Sequence, residues 1–286
     1  MVFAMPGTIV CFIGVVPVFG ASITLYPPMS LSFPVFDHEI IGCPVPVSML
    51  TNSISGIAGE TLLASIGDEV IIKNSNIKDF TIKPRFSSGV LKNVGGLIGN
   101  IGNTNASTEI TLQNNKVKYF VLANGSNFGG IIGNTNNCTS VAARIKVVGN
   151  IAYSGFSTDT ADTDNHSRAG VAGCLQSANL SSLITQNLIF TKILGANRLA
   201  GIAAETNLNI LQNHIEIDID QSNVASGPMH LAGMVATTSS IVVQNLLDNK
   251  IKGSINSGLT LQCNNNSSDS SGVLDMCGLI LGENLN

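Results

Sequence analysis

The chain is short of charge, of aromatics and, over most of its length, of proline. Only 11% of its 286 residues are Asp, Glu, Lys or Arg, against roughly 25% in an average soluble domain. That shortage excludes a charged disordered chain and a charge-laced coiled coil. With 14 Lys and Arg against 18 Asp and Glu, the net charge of −4 offers no basic surface to nucleic acid. Aromatics are 5% and Trp is absent, so any core is narrow and aliphatic. No segment sustains a 3.6-residue apolar period with capping residues, so helix should be scarce. None of the six cysteines, at 11, 43, 138, 174, 263 and 277, has a Cys-x-x-Cys partner. Zinc ribbons and dithiol redox motifs are thereby excluded. Cys174 and Cys277 adjoin a glycine motif and are expected in small core positions, with no dense disulfide framework. Neither a phosphate-cradling Gly-Lys-Ser/Thr loop nor a Gly-x-Ser-x-Gly nucleophile elbow occurs.

What is abundant is aliphatic residues, glycine and asparagine: 44% hydrophobic, 29 Gly and 31 Asn. The distribution is uneven. Residues 1–50 hold seven of the 9 prolines, no Asn and no cation, the first being Lys73. A boundary is expected near residue 50. Met1–Gly20 is almost wholly apolar and resembles a signal-peptide core, with Val18 and Gly20 placed for cleavage. A missing cationic start and the interruptions at Pro6 and Pro17 also allow a Pro-broken cap strand or a membrane anchor. Residues 21–50 have the composition of an N-terminal cap, because proline cannot extend a hydrogen-bond ladder.

Beyond residue 50 a five-residue pattern returns: small, Gly, aliphatic, aliphatic or Ala, small. It appears at 55–59, 95–99, 129–133, 169–173, 200–204 and 232–236 and starts again at 277. Its second positions are Gly56, Gly96, Gly130, Gly170, Gly201, Gly233 and Gly278. An Ile/Val-rich run broken by Asn follows each of the first six, as in Ile110–Val117, Leu183–Ile189 and Ile210–Ile217. Strand-like runs at a fixed spacing of this size indicate stacked coils, each burying its apolar face on its neighbour. The expected fold is all-β: a right-handed parallel β-helix, or β-solenoid, of about six to seven Gly-rich repeats over residues 51–286. The competing Greek-key sandwich wants Asn-Gly turns between paired strands, and only Asn124-Gly125 qualifies. Gly125 is accordingly expected in a loop. Glycine fits where the next coil's backbone comes close, and asparagine suits corners and can bond its equivalent one coil away. The repeated Gln-Asn pair puts Asn114, Asn187, Asn213 and Asn245 in one expected column, with Asn150 the weakest equivalent.

Gly95–Gly99 and Gly129–Gly133 resemble the GLUG repeat, found in tandem in bacterial surface proteins, some IgA-cleaving metallopeptidases and protist proteins. The resemblance covers residues 52–286. It implies a β-solenoid stalk or surface segment and supplies no catalytic residues.

Individual residues give little chemistry. His38-Glu39-Ile40-Ile41-Gly42 begins like a zinc-peptidase motif, but Gly42 replaces the second histidine. Arg144-Ile145-Lys146 resembles one polygalacturonase motif without its carboxylate companions. Asp159, Asp162, Asp164 and His166 cluster in a polar loop without the pattern of a Ca²⁺ site. Glu216, Asp218 and Asp220 alternate on one expected strand and so share a face. That row is a candidate cation or lyase-type site, or a solvated surface. Seven Asn-x-Ser/Thr triplets start at Asn105, Asn124, Asn137, Asn165, Asn179, Asn265 and Asn266. They matter only on a eukaryotic secretory route. The expectation is a non-enzymatic extracellular or cell-surface module for adhesion or binding, with a glycan or protein partner, no nucleic acid, no cofactor and no metal. A polysaccharide lyase or hydrolase and a structural spacer are the rival readings. The seventh motif, cut short at the C-terminus, suggests end-to-end self-association through the last coil.

Overall fold

The computed structural model describes residues 54–63, 68–82, 90–122, 124–157, 167–194, 198–221, 229–238 and 245–257, with short strands nearer both ends. Every helix or strand among the described residues is a β-strand. The chain winds through four sheets in a fixed order. In the third coil the strands are Asn124–Gly129 in sheet 1, Ile132–Thr135 in sheet 2, Arg144–Val148 in sheet 3 and Ile151–Ser157 in sheet 4. Each pairs in parallel with its counterparts one coil before and one coil after. Six coils repeat this course. Leu274–Asp275 and Leu281–Asn284 continue sheets 1 and 2 beyond the sixth. The molecule is a parallel β-solenoid.

Strand alternation makes the core. On sheet 4, Val117, Tyr119 and Val121 are buried while Lys116, Phe120 and Leu122 face out, as a period of two requires. In-register stacking repeats the pattern, so Ile72, Leu112, Val147, Ile184 and Ile210 form one buried column on sheet 3. Among the described residues, Phe80, Tyr119, Phe128 and Phe156 are the aromatics inside the core, all in the first three coils. Tyr119 stacks on Phe80 at 4.9 Å and meets Phe156 edge-on at 6.0 Å. Its hydroxyl donates to the Gly129 carbonyl, and burial pushes its pKa well above the ordinary tyrosine value. Arg168 is 0% exposed in a sheet 1 column otherwise made of Val94, Phe128, Leu199 and Leu231. Its guanidinium lies 5.1 Å from the Phe128 ring and donates to the Leu194 carbonyl at 3.0 Å. Nothing in the sequence pattern marks this buried cation.

Two corners keep a constant length. Between sheets 1 and 2 the chain turns on the glycine motif. A Cβ on Gly56, Gly96, Gly130, Gly170 or Gly201 would come below 3.0 Å from the carbonyl oxygen of the motif glycine one coil on. Close stacking is therefore the reason for glycine at these second positions. The next residues, Leu97, Ile131, Val171, Ile202 and Met234, stack in the core. Gly233 supplies the last described carbonyl of this column; Gly278 lies outside the described residues. Gly125 does not sit in a loop. It lies inside a sheet 1 strand, where a Cβ would run into the Leu91 carbonyl.

Between sheets 3 and 4 two residues make the turn. The first is left-handed in all six coils: Asn74, Asn114, Gly149, Gln186, Gln212 and Asp248 have φ between 55° and 64°. The second forms a buried ladder. Asn150 Nδ2 donates to the Leu112 carbonyl at 2.9 Å and to Asn187 Oδ1 at 3.0 Å. Its Oδ1 accepts from the backbone N–H and Nδ2 of Asn115. Asn187, Asn213 and Asn249 continue the same bonding, and Ser75 begins it. The expected column thus holds for Asn187 and Asn213 and fails for two members. Asn114 is the left-handed residue before the ladder position Asn115. Asn245 instead bonds Asn209 on the opposite side of sheet 3. The pair Gln113-Asn114 is one residue out of register with Gln186-Asn187, since Gln113 aligns with Val148 and through it with Thr185.

The other two edges vary in length. The connections from sheet 2 to sheet 3 are 105–108, 136–143, 176–182 and 207–208 in coils 2 to 5. Most of the expected leader and cap lies outside the described residues. In their described part, Ser22–Leu25 and Met29–Ser32 form a hairpin that pairs antiparallel with Glu69–Lys73. It occupies the edge that sheet 3 would otherwise expose at the first coil.

Candidate functional site

The outer face of sheet 4 carries the most varied exposed chemistry among the described residues. Its strands are Asn76–Ile82, Lys116–Leu122, Ile151–Ser157, Leu188–Leu194, His214–Gln221 and Lys250–Ser257. Register turns their outward residues into rows across the coils. One row runs Lys116, Ile151, Leu188, His214, Lys250, and the next Lys118, Tyr153, Phe190, Glu216, Lys252. The Tyr153 and Phe190 rings stack at 4.6 Å and 2° between planes. In the following row Phe120 stands 44% exposed, as does Leu122 beyond it. The Phe120 ring occupies the space a Cβ on Gly155 would need. Gly155 is a seat for that ring, a role the sequence pattern does not announce.

Charges of both signs frame this apolar centre. Glu216, Asp218 and Asp220 do alternate outward on one strand, with Ile215, Ile217 and Ile219 buried between them. On adjacent coils Glu216 stands beside Phe190 and Lys252, Asp218 beside Lys192 and Ser254, and Asp220 beside Leu194 and Asn256. Lys192 Nζ lies 3.2 Å from Asp218 Oδ2, and Ser254 Oγ donates to Asp218 Oδ1 at 3.0 Å. Lys252 Nζ lies 3.9 Å from Glu216. Lys118 pairs with Asp79. The three acids lie on a sheet face, spaced by two residues along the strand, and Glu216 and Asp218 are held in ion pairs with lysines.

Arg144 and Lys146 also have a plain role. Both reach Glu109 one coil back, at 3.6 and 2.6 Å. Burial pushes the Glu109 carboxyl up. Hydrogen bonds from Lys146 and Thr111 and the charges of Lys146 and Arg144 more than reverse this, leaving it below the ordinary glutamate value.

A second cluster lies at the sheet 2 edge and was not foreseen. Cys138 and Cys174 form a disulfide between coils 3 and 4. Cys174 therefore does more than fill a small core position. Glu205, only 8% exposed, accepts from Gln176 Nε2 at 2.6 Å and pairs with Arg198 at 3.0 Å. One of its oxygens and the two sulfurs lie within 4.8 Å of one another. The sulfurs bonded to each other are not thiolate ligands, and the carboxylate is already matched by a cation. The residues His38, Glu39, Asp159, Asp162, Asp164, His166 and Cys277 fall outside the described residues. His214 is exposed on sheet 4.

Comparison with family models, curated proteins and solved structures finds no match for this chain.

Proposed function

We propose that the protein is a non-enzymatic, GLUG-type β-solenoid of the cell surface or extracellular space that binds a protein partner along sheet 4. The observation that carries this reading is the pattern on that face. Half-exposed Phe120 and Leu122 and the stacked Tyr153–Phe190 pair form an aromatic and aliphatic centre, ringed by Lys116, Lys118, Lys192, Glu216, Asp218 and Lys252. Protein interfaces have this anatomy, with apolar and aromatic residues inside and a polar rim. A glycan site would favour a concave pocket and open ring faces. Here Tyr153 and Phe190 cover one face of each other. The carboxylate row has its charge partly matched by lysines, which speaks against a general acid and base in the glycosidase manner. The Cys138–Cys174 disulfide favours an oxidising compartment.

The test is binding of labelled full-length protein to cells of its native source. Phe120→Asp with Leu122→Asp should lower binding at least tenfold while the circular dichroism spectrum and melting temperature hold. Unchanged binding would overturn the choice of face. Polysaccharide cleavage that disappears in Glu216→Gln would overturn the non-enzymatic reading.

A further inference from the structure

Four Asn-x-Ser/Thr triplets begin at described residues: Asn105, Asn124, Asn137 and Asn179. Three of the four fall on one line. Asn105 opens the connection 105–108, Asn137 is second in 136–143 and Asn179 is fourth in 176–182. These are the sheet 2 to sheet 3 connections of three successive coils. Asn124 lies elsewhere, in a sheet 1 strand in register with Val90.

We propose that the edge between sheets 2 and 3 is N-glycosylated, with Asn105, Asn137 and Asn179 as the acceptors. The donor class is an oligosaccharide linked through pyrophosphate to a lipid, delivered by a transferase. The asparagine amide nitrogen bonds to the anomeric carbon as the bond from that carbon to the pyrophosphate oxygen breaks. The lipid pyrophosphate leaves, and the amide proton passes to a base of the transferase.

Several independent features of the edge suit this. Asn137 is exposed, and Asn105 and Asn179 are half-buried on turns at the surface. Asn105 Oδ1 accepts from the Ser107 N–H at 3.2 Å, and Asn179 Oδ1 accepts from the Ser181 N–H at 3.0 Å. Among the described residues neither amide nitrogen donates a hydrogen bond, so the atom that carries the sugar is uncommitted. Beside Asn179 lies a shallow cavity of about 330 Å³, lined by Leu180, Ser182, Asn207 and Asn209. Leu180 is 68% exposed there. An attached N-acetyl sugar would cover that leucine and meet amides and hydroxyls, with no charge among the lining residues. The Cys138–Cys174 disulfide adjoins Asn137 and belongs to the oxidising compartments through which such transfer proceeds. Adjacent coils stack about 4.8 Å apart. The three acceptors occupy the first, second and fourth positions of connections of unequal length. The edge does not border sheet 4, so glycans here leave the proposed partner face open. The inference needs entry into a secretory compartment but no binding at sheet 4, so either proposal can fail alone.

Peptide mapping of the protein from its native source tests it. Treatment with peptide N-glycosidase in heavy-oxygen water should convert Asn105, Asn137 and Asn179 to labelled Asp. Each of Asn105→Gln, Asn137→Gln and Asn179→Gln should remove one step of electrophoretic mobility shift. Ser107→Ala, Thr139→Ala and Ser181→Ala should do the same while keeping the asparagine, which separates loss of acceptor from loss of folding. Unlabelled asparagine at all three positions in the native protein would overturn the proposal.

Discussion

The two constant corners of the coil keep their shape by opposite means. Where sheets 1 and 2 meet, the backbone of the next coil fills the space a side chain would take on Gly96, Gly130, Gly170 and Gly201. Where sheets 3 and 4 meet, the carboxamides of Asn115, Asn150, Asn187 and Asn213 fill the interior and bond one another from coil to coil. One corner forbids atoms; the other demands particular ones. The first answers to excluded volume, which rises steeply with any addition. The second answers to hydrogen bonds, which are modest when made and costly when a buried partner is left without one.

Substitutions should separate these regimes, with stability read from urea unfolding of the full chain. The largest effect is expected at Gly130→Val. Its new carbons meet the Gly170 carbonyl, a backbone group that cannot step aside, and overpacking of this kind should cost about 4 kcal/mol. Equal loss at Gly125→Val would agree with the Leu91 carbonyl beside it; tolerance there would refute the packing account of both. Asn150→Leu comes next, at about 3 kcal/mol. It strips partners from the Leu112 carbonyl and from the N–H and Nδ2 of Asn115. A loss below about 1 kcal/mol would mean the ladder is ornamental. A site on neither corner should matter less. Glu109 has a lowered pKa in the fold, so its contribution is present at neutral pH. It is lost as pH falls from the ordinary glutamate range through the lowered value. Glu109→Gln should flatten that part of the pH–stability curve by less than about 1 kcal/mol, the scale of partly exposed ion pairs. An unchanged curve would contradict this. The smallest effect is a gain. Gln186 holds a left-handed φ of 56°, a conformation asparagine tolerates better. Gln186→Asn should stabilise by roughly 0.5 kcal/mol, and a loss would show that the glutamine side chain has its own role.

The same contrast explains which parts of the fold were legible. A steric corner admits almost one residue type, so the glycine motif recurs visibly and reveals the coil. Alternating Ile and Val likewise mark the strands of sheets 3 and 4. The asparagine corner mixes two positions with overlapping preferences, because the left-handed residue accepts Asn, Gly, Gln or Asp while the ladder takes Asn. Gln113-Asn114 and Gln186-Asn187 therefore look alike and stand one residue apart in register. Gly149 fits the left-handed site well, so Asn150 belongs to the ladder although it lacks a preceding Gln. Long-range pairs leave no local trace at all. The Cys138–Cys174 bond, the Gln176–Glu205 hydrogen bond and the seat that Gly155 gives Phe120 all join residues of neighbouring coils. The buried Arg168 interrupts an apolar column that periodicity would fill with a hydrophobe. On sheet 4 the acid row was readable from its spacing. The lysines that meet it come from other coils and needed the register.

The disulfide also has a mechanical meaning. In a solenoid each coil touches only its neighbours, so a chain stretched from its two ends yields from the terminal coils inward. Cys138 and Cys174 are 36 residues apart and belong to adjoining coils. The tension passes across the sulfur bridge and bypasses everything between them. That segment holds sheets 3 and 4 of the third coil and the glycine corner of the fourth. Roughly 120 Å of contour length is thereby withheld from extension, and a pulled chain lengthens by that amount only after a thiol has cut the bridge.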